Sequence, residues 1–212
     1  MIEQKLQEKV ESVNQAFRSA GSALVAFSGG VDSALVLKLA IDVLGRERVL
    51  AVTARSPSVP SADLATVAAL AAEIGAQHEF IDTREFDNPD YLANPSNRCY
   101  FCKTELYGHL SRLASERTFG IVANGVNADD LGDYRPGIFA AEEHDVAAPL
   151  AQAGISKAEV RALADERELS VHDKPASPCL SSRVQYGEQI TPEKLERIDQ
   201  AETFLRELGF RE

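Results

Sequence analysis

Ala23-Leu24-Val25-Ala26-Phe27 runs directly into Ser28-Gly29-Gly30-Val31-Asp32-Ser33. The five apolar residues read as a strand buried on both faces, as the strands of a parallel sheet are. The two glycines let the chain turn sharply and bring backbone N–H groups close to an anion. From about residue 33 to 44, Leu35, Val36, Leu39 and Val43 recur at helical spacing. A helix therefore opens on the turn, and its N-terminus favours phosphate. Ser28 and Ser33 add hydroxyl donors. Asp32 places a carboxylate beside the expected phosphate, which calls for a bridging Mg²⁺. Neither Gly-x-x-x-x-Gly-Lys nor Gly-x-Gly-x-x-Gly is present.

Upstream, Leu6, Val10, Val13 and Phe17 mark an amphipathic helix that Gly21 ends. Downstream, Val49–Thr53 reads as a second strand. A helix follows from an N-cap at Ser61 to Gly75, and His78–Ile81 reads as a third strand. Residues 84–98 read as a loop, Lys103–Arg117 as a helix and Gly120–Ala123 as a fourth strand. Residues 125–149 look irregular. Ser156 and Glu159 form a capping box ahead of Val160, Leu163 and Ala164. Val171 is expected to begin a short fifth strand, and 174–190 to be a loop. Thr191-Pro192 starts a last helix with Leu195, Ile198, Leu205 and Leu208, closed at Gly209. This alternation predicts a doubly wound α/β protein with a mostly parallel sheet, its ligands at the carboxyl ends of the strands. Residues 1–173 are expected to form the nucleotide domain, and 174–212 to begin a smaller C-terminal segment that stops early.

The 212 residues carry a formal charge of −11, with 44% hydrophobic and 26% charged residues, an ordinary globular balance. No apolar run approaches the ~18–20 residues that cross a bilayer. The charged N-terminus is no secretory signal. The negative charge argues against a nucleic-acid partner. Three cysteines are too few for a disulfide framework and the count is odd, while the lack of a secretory signal points to a reducing cytoplasm.

Those cysteines fall within Asn97-Arg98-Cys99-Tyr100-Phe101-Cys102-Lys103 and Pro178-Cys179-Leu180-Ser181-Ser182-Arg183. Three readings stay open. Cys99, Cys102 and Cys179 hold a [4Fe-4S] cluster with one iron free for an exchangeable sulfide. With His172 or His109 they hold structural zinc. Or Cys99 and Cys102 are redox-active or merely buried, and Cys179 acts alone. Arg98, Lys103 and Arg183 are expected to favour thiolates in all three. His78, His109, His144 and His172 show no hydrolase spacing and read as surface or strand-end residues.

Ser-Gly-Gly-x-Asp-Ser resembles the pyrophosphate loop of the N-type ATP pyrophosphatases. The cysteine motifs, Asn124-Gly125-Val126-Asn127-Ala128-Asp129-Asp130, Gly132-Asp133-Tyr134-Arg135-Pro136-Gly137 and Lys174-Pro175-Ala176-Ser177 follow it in order. Together they resemble the LarE family of ATP-dependent sulfur transferases over nearly the whole chain. That resemblance implies adenylation of a carboxylate of a pyridinium-3,5-biscarboxylic acid mononucleotide and exchange of oxygen for sulfur. The product would serve the nickel-pincer nucleotide cofactor of lactate racemase. It also implies ATP on Ser28, Gly29, Gly30, Asp32 and Ser33, extended to Thr53 and Gly125. Mg²⁺ would sit on Asp32, shared with Asp129 or Asp130 unless these are solvated. Arg135, Ser182 and Arg183 would contact the substrate, and Cys179 would be catalytic. Three cysteines match the cluster-bearing type, which takes sulfur from a sulfide donor; the other type sacrifices the sulfur at the position of Cys179. A homo-oligomer is implied as well. A tRNA-thiolating enzyme, an amidotransferase such as NAD synthetase, and a non-enzymatic ATP-binding module are the competing functions.

Overall fold

The computed structural model describes residues 2–210; Arg211 and Glu212, where the expected early stop falls, lie outside them. The chain opens with α1 (Ile2–Ala20), whose Val13 and Phe17 are fully buried. Then come β1 (Ala23–Ala26), α2 (Val31–Leu44), β2 (Val49–Arg55), α3 (Ser61–Ile74) and β3 (Gln77–Asp82). α4 (Pro89–Leu92) and α5 (Arg98–Glu116) lead to β4 (Ile121–Ala123). The remainder is helical: α6 (Pro136–Glu143), α7 (Pro149–Gln152), α8 (Lys157–Glu166) and α9 (Pro192–Glu207).

The four strands form one parallel sheet in the order β3-β2-β1-β4. The chain steps outward from β1 to β3, then returns to β1's other side. The carboxyl ends of β1 and β4 therefore flank the switch point, where such sheets open a crevice. Both faces are covered, as the apolar strands require. Val25 and Ala51 join α1, α2, α3 and α8 in one core with Phe17, Leu35, Leu39, Val67 and Leu163. Leu24, Leu50 and Val52 face the other way, onto Leu106, Leu110 and Ala140 of α5 and α6. A third cluster, Tyr91, Leu180, Val184, Ile190 and Leu195, seats the 174–190 segment and α9 against α4 and the start of α5.

Five expectations change, the first within residues 84–98, where α4 forms in place of a continuous loop. No fifth strand forms at Val171, because Leu169–Lys174 closes in successive turns (His172 N to Leu169 O, 3.0 Å; Lys174 N to Val171 O, 3.1 Å). Ala147 instead makes a one-residue parallel bridge to Ala123. Residues 125–149 are not irregular throughout: Pro136 and Pro149 start α6 and α7 at their first positions, where a missing N–H costs nothing. α5 begins at Arg98, not Lys103, so Cys99 and Cys102 lie one turn apart on a helix. Ser61 is the first residue of α3 and Pro60 its cap. The capping box at Ser156 and Glu159 and the Thr191 cap form as the sequence implies. No helix among the described residues is long and apolar enough to cross a membrane.

Candidate active site

Gly29 takes a positive φ of 74° to turn the chain from β1 into α2. A Cβ there would come within 3.3 Å of Val67 Cγ2. The Ser33 hydroxyl donates to Gly30 O (3.0 Å), accepts from Ser28 N (3.2 Å) and meets Ser28 Oγ at 3.1 Å. Ser28 and Ser33 thus brace the turn from inside. Gly30 caps α2 without a side chain, so no side chain closes off the helix's first turn. That is the arrangement of an anion cradle at a helix N-terminus.

Gly125, just past β4, lies against this turn. A Cβ at Gly125 would sit 2.7 Å from Ser33 N and 3.0 Å from the Asp32 carbonyl carbon. Only glycine lets the two crevice walls approach so closely. The next residues build a carboxylate network: Asn127 Nδ2 donates to Asp32 Oδ1 (3.0 Å), and Asn127 N donates to Asp130 Oδ2 (3.0 Å). Lys157, the first residue of α8, reaches Asp32 Oδ2 at 2.5 Å and donates its backbone N–H to Asp129 Oδ2 (2.8 Å). Asp130 Oδ1 pairs with Arg135 at 2.7 Å. Asp32, Asp129, Asp130 and Arg135 are therefore one connected group beside the cradle.

Thr53 is buried. Its hydroxyl donates to Phe27 O (2.6 Å), so the 2.8 Å contact with His78 Nε2 has the imidazole N–H as donor. Burial holds the His78 pKa below its usual value, against the opposing charge of Glu79. Thr53 thus ties β2 to the strand end that launches the cradle.

On the other side, Lys174 Nζ reaches Gly29 O (3.4 Å) and Asp63 Oδ1 (3.0 Å), and Ser177 Oγ donates to Asp63 Oδ2 (2.8 Å). This latch lays the segment carrying Cys179 beside the cradle. Gly29, Lys174, Thr66 and Glu73 help line a cavity of about 220 Å³ there.

Buried Arg98 brings that segment onto α5. Its guanidinium donates to Ser181 O (2.8 Å) and Asn94 Oδ1 (2.5 Å) and lies over the Tyr186 ring. Asn94, in a left-handed conformation, donates to the carbonyls of Val184, Gln185 and Glu188. Tyr91 OH meets Ser181 Oγ at 2.7 Å. The three cysteines are free thiols, and Cys99 and Cys179 lie close enough to Cys102 to act on its thiol. The expectation of cation-favoured thiolates fails at Cys102: burial pushes its thiol up to about 12, and Lys103 opposes this only in part. Arg98 and Arg183 are committed elsewhere. Lys103 is held above its ordinary range chiefly by the Tyr107 it faces, with the cysteines adding to this against burial. Glu85, also buried, accepts from Ser58 Oγ (3.0 Å), while its Oε2 has no partner among the described residues.

Zinc is disfavoured. Among the described residues no three His, Cys, Asp or Glu side chains converge to hold one metal ion. His109 meets Glu105 (3.1 Å), and His172 meets Leu169 O (3.1 Å), so neither turns to the cysteines. Ser182 and Arg183 fold back on the Cys179 turn: Ser182 Oγ donates to Cys179 O (2.7 Å) and Arg183 donates to Pro178 O (2.7 Å) and pairs with Glu202. Lys157 and Lys174 join the site without any mark in the sequence. No spacing marks either, because each acts across the fold.

Cradle, switch point and parallel sheet define an α/β nucleotide-binding protein of the ATP pyrophosphatase type. The NAD synthase family profile matches residues 2–90, which include the cradle. The chain shares its fold with the NH3-dependent NAD synthetase of Campylobacter jejuni (TM-score 0.65, 18% identity, 81% of this chain and 76% of that one). It is 52% identical to an uncharacterised protein of Synechocystis sp., over 97% of this chain and 76% of that protein. It is 36% identical to the pyridinium-3,5-bisthiocarboxylic acid mononucleotide synthase of Lactiplantibacillus plantarum, over 97% of this chain and 74% of that enzyme. The chain belongs to the LarE family of ATP-dependent sulfur transferases.

Proposed function

We propose that this protein, acting in the cytoplasm, adenylates a carboxylate of a pyridinium-3,5-biscarboxylic acid mononucleotide and replaces a carboxylate oxygen with sulfur. The observation that carries this reading is the double tether of the Cys179 segment. Lys174 binds it to Gly29 of the phosphate cradle, Lys174 and Ser177 bind it to Asp63 of α3, and Arg98 binds it to the helix of Cys99 and Cys102. On this reading a phosphate-activating site and a sulfur site would share one wall. The kinship with the L. plantarum enzyme supports the choice of substrate.

Ser28 to Ser33 would hold the phosphates of ATP, with Thr53 and Gly125 framing the crevice. The substrate carboxylate attacks the α-phosphorus and pyrophosphate leaves. Oxide is a poor leaving group and AMP a good one, so the acyl-adenylate is open to a sulfur nucleophile. Sulfur adds at the carbonyl carbon, the bond to AMP breaks, and AMP departs with the original oxygen. Arg135 and Arg183 would exchange their carboxylate partners for substrate phosphate or carboxylate, with Ser182 assisting beside Arg183. Cys99, Cys102 and Cys179 would hold a [4Fe-4S] cluster that, when bound, supplies a renewable sulfide.

The test is anaerobic incubation with ATP, Mg²⁺, sulfide and the biscarboxylic mononucleotide. AMP, pyrophosphate and a thiolated product in equal amounts are expected, the product lost in Cys179→Ala. Product formation undiminished in Cys179→Ala would overturn the assignment of that residue. Absence of AMP in the wild type would overturn the reaction.

A further inference from the structure

Asp32 is held in two unlike ways. Oδ1 is fixed by Asn127, whose own Oδ1 accepts from Asp129 N (3.0 Å) and whose backbone N–H is bound to Asp130. Oδ2 is held by the Lys157 ammonium at 2.5 Å, at the end of a flexible stem that is 36% exposed. The Lys157 backbone is anchored to Asp129 and to the capped first turn of α8, so only its side chain is free to move. Among the described residues Lys157 is the sole cation within 4.0 Å of Asp32. Partly solvated ion pairs of this kind open at little cost. A divalent cation on Oδ2 cannot coexist with the ammonium already there, because the two positive charges repel at contact distance. An incoming polyphosphate offers that ammonium the nearest concentrated negative charge.

We propose that Lys157 occupies the metal's place on Asp32 while the nucleotide site is empty. It yields Oδ2 when the metal–nucleoside triphosphate enters, and its ammonium passes to the phosphates. Without nucleotide, Asp32 stays neutralised beside the cradle and does not collect free metal. The fixed Oδ1 keeps the carboxylate aimed throughout the exchange. The inference rests on reading the cradle as an ATP site.

Mn²⁺ is the probe, followed by paramagnetic resonance with and without ATP. Metal-free ATP in excess chelator is followed by calorimetry. In Lys157→Met and Lys157→Gln, nucleotide-free protein should take up Mn²⁺ roughly tenfold more tightly than wild type. Adding Asp32→Asn should abolish that gain. Metal-free ATP should bind these two Lys157 variants roughly tenfold more weakly, and Lys157→Arg should restore it. Equal Mn²⁺ affinity in wild type and variants, with ATP still binding, would overturn the exchange alone. Failure of wild type to bind ATP would overturn the cradle reading and the exchange together.

Discussion

Gly125→Ala is the sharpest probe of the crevice. The added methyl would stand 2.7 Å from Ser33 N, short of the 3.4 Å at which ordinary contact begins. About 0.7 Å must be found by moving backbone, since the Asp32 carbonyl carbon (3.0 Å) and Cβ (3.1 Å) block the alternatives. Overpacking of this kind costs about 1–3 kcal/mol. In a chain of this size that lowers the melting temperature by roughly 2–12 °C. The displaced residues are those of the cradle, and a misplacement approaching 1 Å weakens binding and rate by about 10–100-fold. Gly120→Ala is the matched control: its methyl would run into the Ala20 carbonyl oxygen at the opposite end of the sheet. Scanning calorimetry and ATP titration on both variants separate the effects. Both should melt lower, and only Gly125→Ala should lose ATP affinity. A Gly125→Ala protein that melts lower yet binds ATP like wild type would refute the placement of the phosphates. So would a Gly120→Ala protein that loses ATP equally.

Arg98→Met should cost about 2–4 kcal/mol in urea unfolding, because Ser181 O and Asn94 Oδ1 lose a buried charged donor. It should also speed alkylation of Cys179, read by peptide mass spectrometry, as the segment loosens. With its thiol pushed up to about 12, Cys102 should resist iodoacetamide at pH 8 in the folded protein and react once it is unfolded. The unfolded chain sheds this proton near pH 9 and the folded one keeps it to about 12. Stability should therefore fall across that window by up to about 1.4 kcal/mol per pH unit, less so in Cys102→Ala. Thr53→Val should cost about 1–3 kcal/mol by orphaning Phe27 O and the His78 N–H, measured by thermal melts.

What could be read from the sequence was local. β1 and its glycine turn announce themselves because strand, turn and helix N-terminus are contiguous, and the capping box of α8 lies within four residues. The sequence does not announce the α6 and α7 starts at Pro136 and Pro149, because Asn, Asp and Gly around them resemble a loop more than a helix. Val171 looked like a strand because it is apolar. It satisfies the core from a turn instead, partly buried against the main apolar cluster. Lys157 and Lys174 were invisible as site residues because their partners, Asp32 and Asp63, are more than a hundred residues away. The Cys102 thiol departs from its sequence-based expectation for a related reason. Sequence shows the neighbouring cations but not the apolar cluster of Tyr91, Phe101 and Leu180 that surrounds it.

Adenylation of the substrate carboxylate is tested most directly by labelling that carboxylate with oxygen-18 and following the label through one turnover. The account predicts one labelled oxygen in each AMP released and sulfur in its place on the product. Unlabelled AMP, with the label retained on the carboxylate, would contradict it.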